Sequence, residues 1–322
     1  MYTFLSQLPL PTIEYSRDNN PNNGSDAETM AASKIVQATR GEIRWASREE
    51  DSKKKDLYLS SQHPWYPTDR LEISIQVKSG PSNGRLIENG FRLKKQAYKD
   101  LIIKKDPTCL LWVDYDTGRT YWTYVHPSSD LDSHNEFSNI HLVSPATIYD
   151  LARCAARHKG EHKRDGRGVN ISSKDIDKNL LIIRAKEAIQ RFKYEGQLFC
   201  PVLGCIEFTR TSWRHMFRAS RKKANRESSL RVIPHLAALL SQIPSTHFIS
   251  EYEFEENRDM ITRSLNHIIK YTKASQNNRQ ISVVIKVQED VRYPVNWRER
   301  TLLSQLVERK LTLISCYTKT EQ

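Results

Sequence analysis

The stretch Leu71-Glu72-Ile73-Ser74-Ile75-Gln76-Val77-Lys78-Ser79-Gly80 alternates apolar and polar residues up to a glycine, and it constrains the fold more than any other part of the chain. A period of two marks a half-buried β-strand, because successive side chains leave the backbone on opposite faces. Leu71, Ile73, Ile75 and Val77 therefore point one way, while Glu72, Ser74, Gln76 and Lys78 share a polar surface on the other. Upstream, Asp56-Leu57-Tyr58-Leu59-Ser60 reads as a second short strand with an acid at its start. Pairing of the two as a hairpin, across a loop containing His63-Pro64-Trp65-Tyr66-Pro67, carries Asp56 towards Gln76 and Lys78.

An acid on one strand with Gln-x-Lys on the next supplies the parts that phosphodiester hydrolysis needs. Oxygen ligands hold Mg²⁺, and a lysine orients the attacking water or stabilises charge at phosphorus. The arrangement resembles the active site of the PD-(D/E)XK, restriction-endonuclease-like superfamily. More narrowly, Gln76-Val77-Lys78-Ser79-Gly80 is similar to the QVKSG core of a bacterial and phage family within it. The later hairpin Leu110-Leu111-Trp112-Val113-Asp114-Tyr115 / Thr120-Tyr121-Trp122-Thr123-Tyr124-Val125 adds to the likeness, which covers residues 25–150 or so.

The resemblance implies an α/β (α+β) fold with a restriction-endonuclease-like mixed sheet flanked by helices, beside a second, smaller α+β domain. It implies a nuclease that uses Mg²⁺ or Mn²⁺ on nucleic acid, DNA before RNA, in phage defence or mobile-element biology. Asp56 and Gln76 would be the metal ligands and Lys78 the residue that positions water. Glu28, on the first helix, would join the metal shell; its alternative role is to favour the helix dipole as an acid in the first turn. The sequence departs from the strictest pattern where Gln76 stands in place of an acid, leaving fewer fixed charges for the ion. Glu72, on the same expected face, is either a compensating acid or an ordinary edge-strand charge.

At 322 residues the chain has room for two domains. It is 38% hydrophobic and 27% charged, in the range of globular proteins, and has no apolar run near the ~18 residues of a membrane helix. No basic region followed by an apolar stretch opens it, so a cytoplasmic location is expected. Five cysteines, Cys109, Cys154, Cys200, Cys205 and Cys316, are too scattered for a disulfide framework. Cys200 and Cys205 read as buried thiols rather than zinc ligands, and Cys154, His158 and His162 lack a fourth ligand. A net charge of +12 points to a polyanionic partner. Neither a P-loop nor a dinucleotide fingerprint is present.

Four segments are expected: a tail over residues 1–24, a nuclease-like domain over 25–156, a basic linker and bridging helix over 157–198, and a basic α+β domain over 199–322. Helices are predicted from Ser25 or Asp26 to Ala38, Lys94 to Lys104, Ser144 to Arg157, and Ser172 or Ser173 to Phe192. The last should turn Ile176, Leu180, Ile183 and Ala188 inward. Ile43–Ala46 reads as a first strand. Trp112, Tyr121, Trp122 and Tyr124 are either base-stacking residues or, more ordinarily for a sheet, core.

In the second half, Cys205–Thr209 reads as a strand, Ser212 as the cap of a helix containing Trp213, Met216 and Phe217, and Leu230–Ile243 as a helix that Pro234 starts or kinks. Strands follow at Thr246–Ser250, Gln280–Gln288 and Leu311–Thr318, with a helix over Trp297–Arg309. From Arg210 to Arg231 eight basic residues face a single acid, Glu227. If Thr211–Arg221 is helical, Arg214, His215, Arg218 and Arg221 share one side, with Lys222 next to them as a further phosphate contact. The order of elements is weakly similar to the barnase/EndoU/colicin/RelE-like ribonucleases, which implies His215, Arg218, Arg221 and Thr318 as candidates for metal-independent RNA cleavage. The rival from another class is a nucleic-acid-binding module without catalysis. A homodimer is an option and a membrane is not expected.

Overall fold

The computed structural model describes residues 23–47, 49–50, 54–103, 106–126, 129–161, 168–173, 176–194, 198–300 and 303–320. The tail over 1–22 and the linker residues 162–167, including His162, lie outside these. The protein is mixed α+β, with several sheets and helices. Among the described residues no helix is long and apolar enough to cross a membrane. All five cysteines are free; Cys205 is exposed, not buried as expected.

Helix α1 spans Asn23–Thr39 and is followed by β1 (Glu42–Trp45), β2 (Leu57–Gln62) and β3 (Arg70–Ser79). The chain then passes through one helical turn (Gly80–Asn83), the hairpin β4 (Gly84–Ile87) and β5 (Gly90–Leu93), and α2 (Lys95–Ile103) before β6 (Thr108–Val113) and β7 (Thr120–Val125). One sheet carries these strands in the order β1-β2-β3-β6-β7. In the Gly-containing stretch after Lys78, β4 pairs with β5, and β5 with β8 (Glu136–Ser138).

Contacts divide the chain into two compact units that interleave in sequence. Of the described residues, one holds those up to Lys34, those in Trp45–Tyr58 and those in Ser74–Leu142; the other holds Ile35–Arg44, Leu59–Ile73 and those from Val143 on. In the first unit, Ile75–Ser79 of β3 run parallel to Cys109–Val113 of β6. A parallel neighbour requires a crossover, which α2 supplies. The core on that side stacks Phe91 against Trp112 (5.7 Å) and Tyr121 (4.8 Å). Trp112, Tyr121 and Trp122 are all buried, so these aromatics are core and not surfaces for bases; Tyr124 is half-buried.

From Val143 on, the second unit carries α3 (Thr147–Glu161), β9 (Val169–Asn170) and α4 (Lys178–Tyr194). Then come β10 (Leu198–Cys200), β11 (Gly204–Ile206), α5 (Arg210–Phe217), α6 (Lys223–Val232) and α7 (Leu236–Leu240). The antiparallel sheet β12 (Thr246–Glu256), β13 (Met260–Gln276), β14 (Arg279–Pro294), β15 (Glu308–Thr320) completes it, with β9 parallel to β13. Leu181, Ala185 and Ala188 of α4, Met216 of α5 and Leu230 of α6 share a core with Ile269, Val283, Ile285 and Leu313 of the sheet.

Several expectations shift here. On α4, Ala188 is buried, but Leu180 and Ile183 are exposed, and Leu181 and Ala185 take the inward places. Val169 and Asn170, expected in a linker, form β9. Pro234 breaks the Leu230–Ile243 helix into α6, a 3-10 turn and α7. Instead of one helix over Trp297–Arg309 there is a 3-10 turn at Trp297–Glu299 and a single turn at Leu303–Leu306. Strand β13 was not expected at all. It turns into β14 through Asn277 and Asn278, both at positive φ (50° and 57°), which suits a two-residue hairpin turn. A bulge between Tyr271 and Ala274 shifts its register against β14.

Candidate functional site

Asp56 sits just ahead of β2, held by its own backbone. Its N–H donates to the Ile75 carbonyl (2.9 Å), and its carbonyl accepts from the Ala46 N–H (2.9 Å). This ladder fixes the direction of the carboxylate. Oδ2 accepts the Val77 backbone N–H at 2.6 Å and also the Gln76 side-chain amide. Asp56 and Gln76 therefore meet, as the hairpin reading requires.

Gln76 differs from its expected setting in one respect. It is 3% exposed, so it lies in the interior and not on a polar surface. The Gln76 Nε2 donates to Asp56 and to the Val77 carbonyl (3.3 Å), which uses both of its hydrogens. Its Oε1 is buried with no hydrogen-bond partner. A buried carbonyl oxygen left without a donor costs about 1–3 kcal/mol, so an acceptor in this state beside a carboxylate is a place that a cation would complete.

Lys78, two residues on and so on the same side of β3, is half-exposed and makes no hydrogen bond or ion pair among the described residues. The end of the motif has a plain structural cause. Gly80 has φ +69°, and a Cβ there would lie 2.5 Å from the Tyr115 ring. Ser79 Oγ and Tyr115 Oη are 3.0 Å apart, and Trp112 Nε1 donates to the Gly80 carbonyl at 3.2 Å. Serine and glycine thus turn the chain sharply away once Lys78 has been presented.

Glu28 is half-buried on α1, but the helix begins at Asn23, so it lies beyond the first turn, where Asp26 is the acid. The dipole no longer accounts for it. Glu72 is exposed and receives the Ser60 hydroxyl. Among the described residues no three His, Cys, Asp or Glu side chains are grouped to hold a metal. Asp56 and Gln76 offer a two-donor set, which suits Mg²⁺, an ion that keeps several waters and is completed by substrate phosphates.

The basic segment is built differently from the single helical face expected of it. Thr209, not Ser212, caps α5, and Ser212 returns the bond from N3 as a capping box. The helix ends at Phe217. Arg214 and His215 are exposed on it, whereas Arg218 is its non-helical C-cap and Arg221 lies beyond, donating Nη1 to the Met216 carbonyl at 3.1 Å. Lys222 is exposed as the N-cap of α6. Thr318 Oγ1 is 2.8 Å from the Ser228 hydroxyl, which also accepts the Thr318 backbone N–H.

Sequence reasoning missed a buried ion network in the second unit. Arg263 pairs with Asp150 through two bonds (2.6 and 3.1 Å), and Arg153 links Asp150 (3.1 Å) to Glu289 (2.7 Å). Glu289 also accepts from Arg309 (2.6 Å) and lies 3.0 Å from His267 Nε2, and His267 Nδ1 is 3.1 Å from His247 Nε2. Burial lowers the pKa of both histidines, that of His267 to about 4. Neutral rings satisfy the chain if His247 donates to His267 and His267 to Glu289. Burial alone would raise the Glu289 carboxyl; Arg153, Arg309 and His267 outweigh it and hold the group well below the usual carboxylate range.

No family model, no curated protein and no solved structure matches the chain.

Proposed function

We propose that the chain is a metal-dependent nuclease whose centre is Asp56, Gln76 and Lys78, with DNA as its substrate. The observation that carries the reading is the buried, unpartnered Gln76 Oε1 beside the Asp56 carboxylate, one strand position pair from a lysine that no carboxylate neutralises among the described residues. The mixed sheet with a parallel β3–β6 pair also supports it, because it is the kind of scaffold that the PD-(D/E)XK resemblance implies.

In this reading Asp56 and Gln76 would hold Mg²⁺ or Mn²⁺. The bound ion supplies charge neutralisation at the scissile phosphate and lowers the pKa of a water. The Val77 N–H fixes the Asp56 carboxylate so that it need not reorganise. Lys78 supplies a cation that orients the water or meets the developing negative charge on phosphorus. Glu28 joins as an additional ligand only if α1 delivers it to the ion. Arg214, His215, Arg218 and Lys222 would contact the phosphate backbone without reading sequence.

The test is cleavage of DNA with Mg²⁺ or Mn²⁺ added, in the natural chain and in Lys78→Ala. The expected result is turnover that EDTA removes and that Lys78→Ala lowers by at least about a hundredfold with an unchanged melting curve. Cleavage that persists in both EDTA and the variant sinks the mechanism. Metal-free RNA cleavage lost in His215→Ala would favour the ribonuclease reading of the second half instead.

A further inference from the structure

A cavity of about 720 Å³ lies within the second unit, well inside the size range that holds small organic ligands. Three arginines, Arg40, Arg298 and Arg300, line it, and no Asp or Glu is among its described lining residues. All three are exposed, and none pairs with a carboxylate among the described residues. Elsewhere in the same unit arginines are closely matched: Arg153, Arg263 and Arg309 each bond Asp150 or Glu289. Three unmatched cations facing one concavity repel one another, and an anion entering it relieves that repulsion.

The backbone holds these groups in place at some cost. Arg40 has φ 55°, a left-handed conformation that L side chains adopt rarely, at the end of α1. The next residue, Gly41, is the one that would ordinarily take it. Gly41 is needed for a different reason: a Cβ there would stand 2.8 Å from Leu59 Cδ1 and from the Ser60 carbonyl. Arg300 is steadied by its Nε bond to Asn296 Oδ1 (2.9 Å), which leaves its two terminal nitrogens for a ligand. The Arg298 guanidinium lies 5.2 Å from the Trp297 ring.

The walls carry rings as well as charge. Tyr149 lines the cavity, and Arg309, which does not line it, packs 4.6 Å from that ring. His63 lines it too and is wedged between Trp65 (4.9 Å) and Tyr66 (4.8 Å). Fixed aromatic faces beside guanidinium forks match a planar base joined to a phosphate.

We infer that this cavity binds a nucleoside phosphate, with the phosphate on Arg40, Arg298 and Arg300 and the base against Tyr149 and His63. The same chemistry arrives either as a free mononucleotide or as the phosphorylated end of a strand. The site does not depend on the nuclease reading, and its test is arranged to keep the two apart.

Binding is measured by calorimetry on the full chain carrying Lys78→Ala, without divalent ions. The probes are AMP, adenosine, and a short single-stranded oligonucleotide bearing a 5′-phosphate or a 5′-hydroxyl. AMP should bind at least about tenfold more tightly than adenosine, and Arg298→Ala with Arg300→Ala should erase that preference while the melting temperature holds. If AMP gives no heat and the 5′-phosphorylated strand outbinds the 5′-hydroxyl strand by the same factor, the strand end is the ligand. Absence of any phosphate preference, or a preference that survives the double variant, overturns the inference. Should the double variant melt early, Arg298→Gln alone, which keeps a hydrogen-bonding side chain of similar length, provides the same comparison.

Discussion

Two carboxylates, one in each unit, show opposite ways of placing an acid inside a protein. Glu289 is fully buried and meets Arg153, Arg309 and His267, so each of its oxygens is matched by a fixed donor. Asp56 is half-buried, and its Oδ2 accepts from a backbone N–H and from the Gln76 amide, whose own oxygen has no partner. A saturated group has nothing left to offer a ligand, whereas a buried oxygen with no donor, as Gln76 Oε1 is, does. By that criterion the network around Glu289 is architecture, despite its histidines, and the pair at Asp56 is the candidate for chemistry.

Removing each acid tests the contrast. Glu289→Ala takes a carboxylate from the buried Arg153, which keeps Asp150, and leaves the half-buried Arg309 without its acid, and should cost about 3–5 kcal/mol in urea unfolding. The next effect in size comes from pH. His267 titrates at about 4 in the folded chain, below the ordinary histidine value, so the unfolded chain takes up the proton first as pH falls. Stability from this group is complete above about pH 6.5 and declines by up to about 3 kcal/mol on acidification to about pH 4. His247 acts in the same direction, and the depressed Glu289 adds a further loss at lower pH. Urea midpoints across that range should fall steadily, and a flat profile would mean that the rings are not held neutral. The smallest effect is Asp56→Ala, which leaves the Val77 N–H and the Gln76 amide without their acceptor and should cost about 1–3 kcal/mol. If it destabilises as much as Glu289→Ala, Asp56 is architecture too.

The sequence made the first of these regions legible and hid the second. Strand β3 alternates so plainly, and Asp56 stands so clearly at the head of β2, that their meeting follows from period-two geometry. Burial of Gln76 does not follow, since nothing local says that Leu110 and Trp112, the β6 residues paired with Gln76 and Lys78, pack against Phe91 and Leu93 of β5 and Ala97, Tyr98 and Leu101 of α2. Strand β13 escaped notice because its inward places hold Arg263 and His267 alongside Leu265, Ile269 and Tyr271, which blurs the apolar period. The partners of those two residues, Asp150 and Glu289, lie 113 and 22 positions away, and no window along the chain brings them together. Arg218 and Arg221 were placed on a helix by spacing alone, and the extended backbone of Arg218 removes them from it.

The bulge in β13 has a wider consequence. Counted back from the hairpin tip, Gln276 and Ala274 are buried, and an unbroken ladder would continue inward through Lys270, Ile268, Asn266 and Ser264. The extra residue between Tyr271 and Ala274 reverses that parity, sending the guanidinium of Arg263 and the imidazole of His267 to the inside. One inserted amino acid therefore decides which side chains this hairpin encloses: Arg263, Leu265, His267, Ile269 and Tyr271 in place of Ser264, Asn266, Ile268 and Lys270.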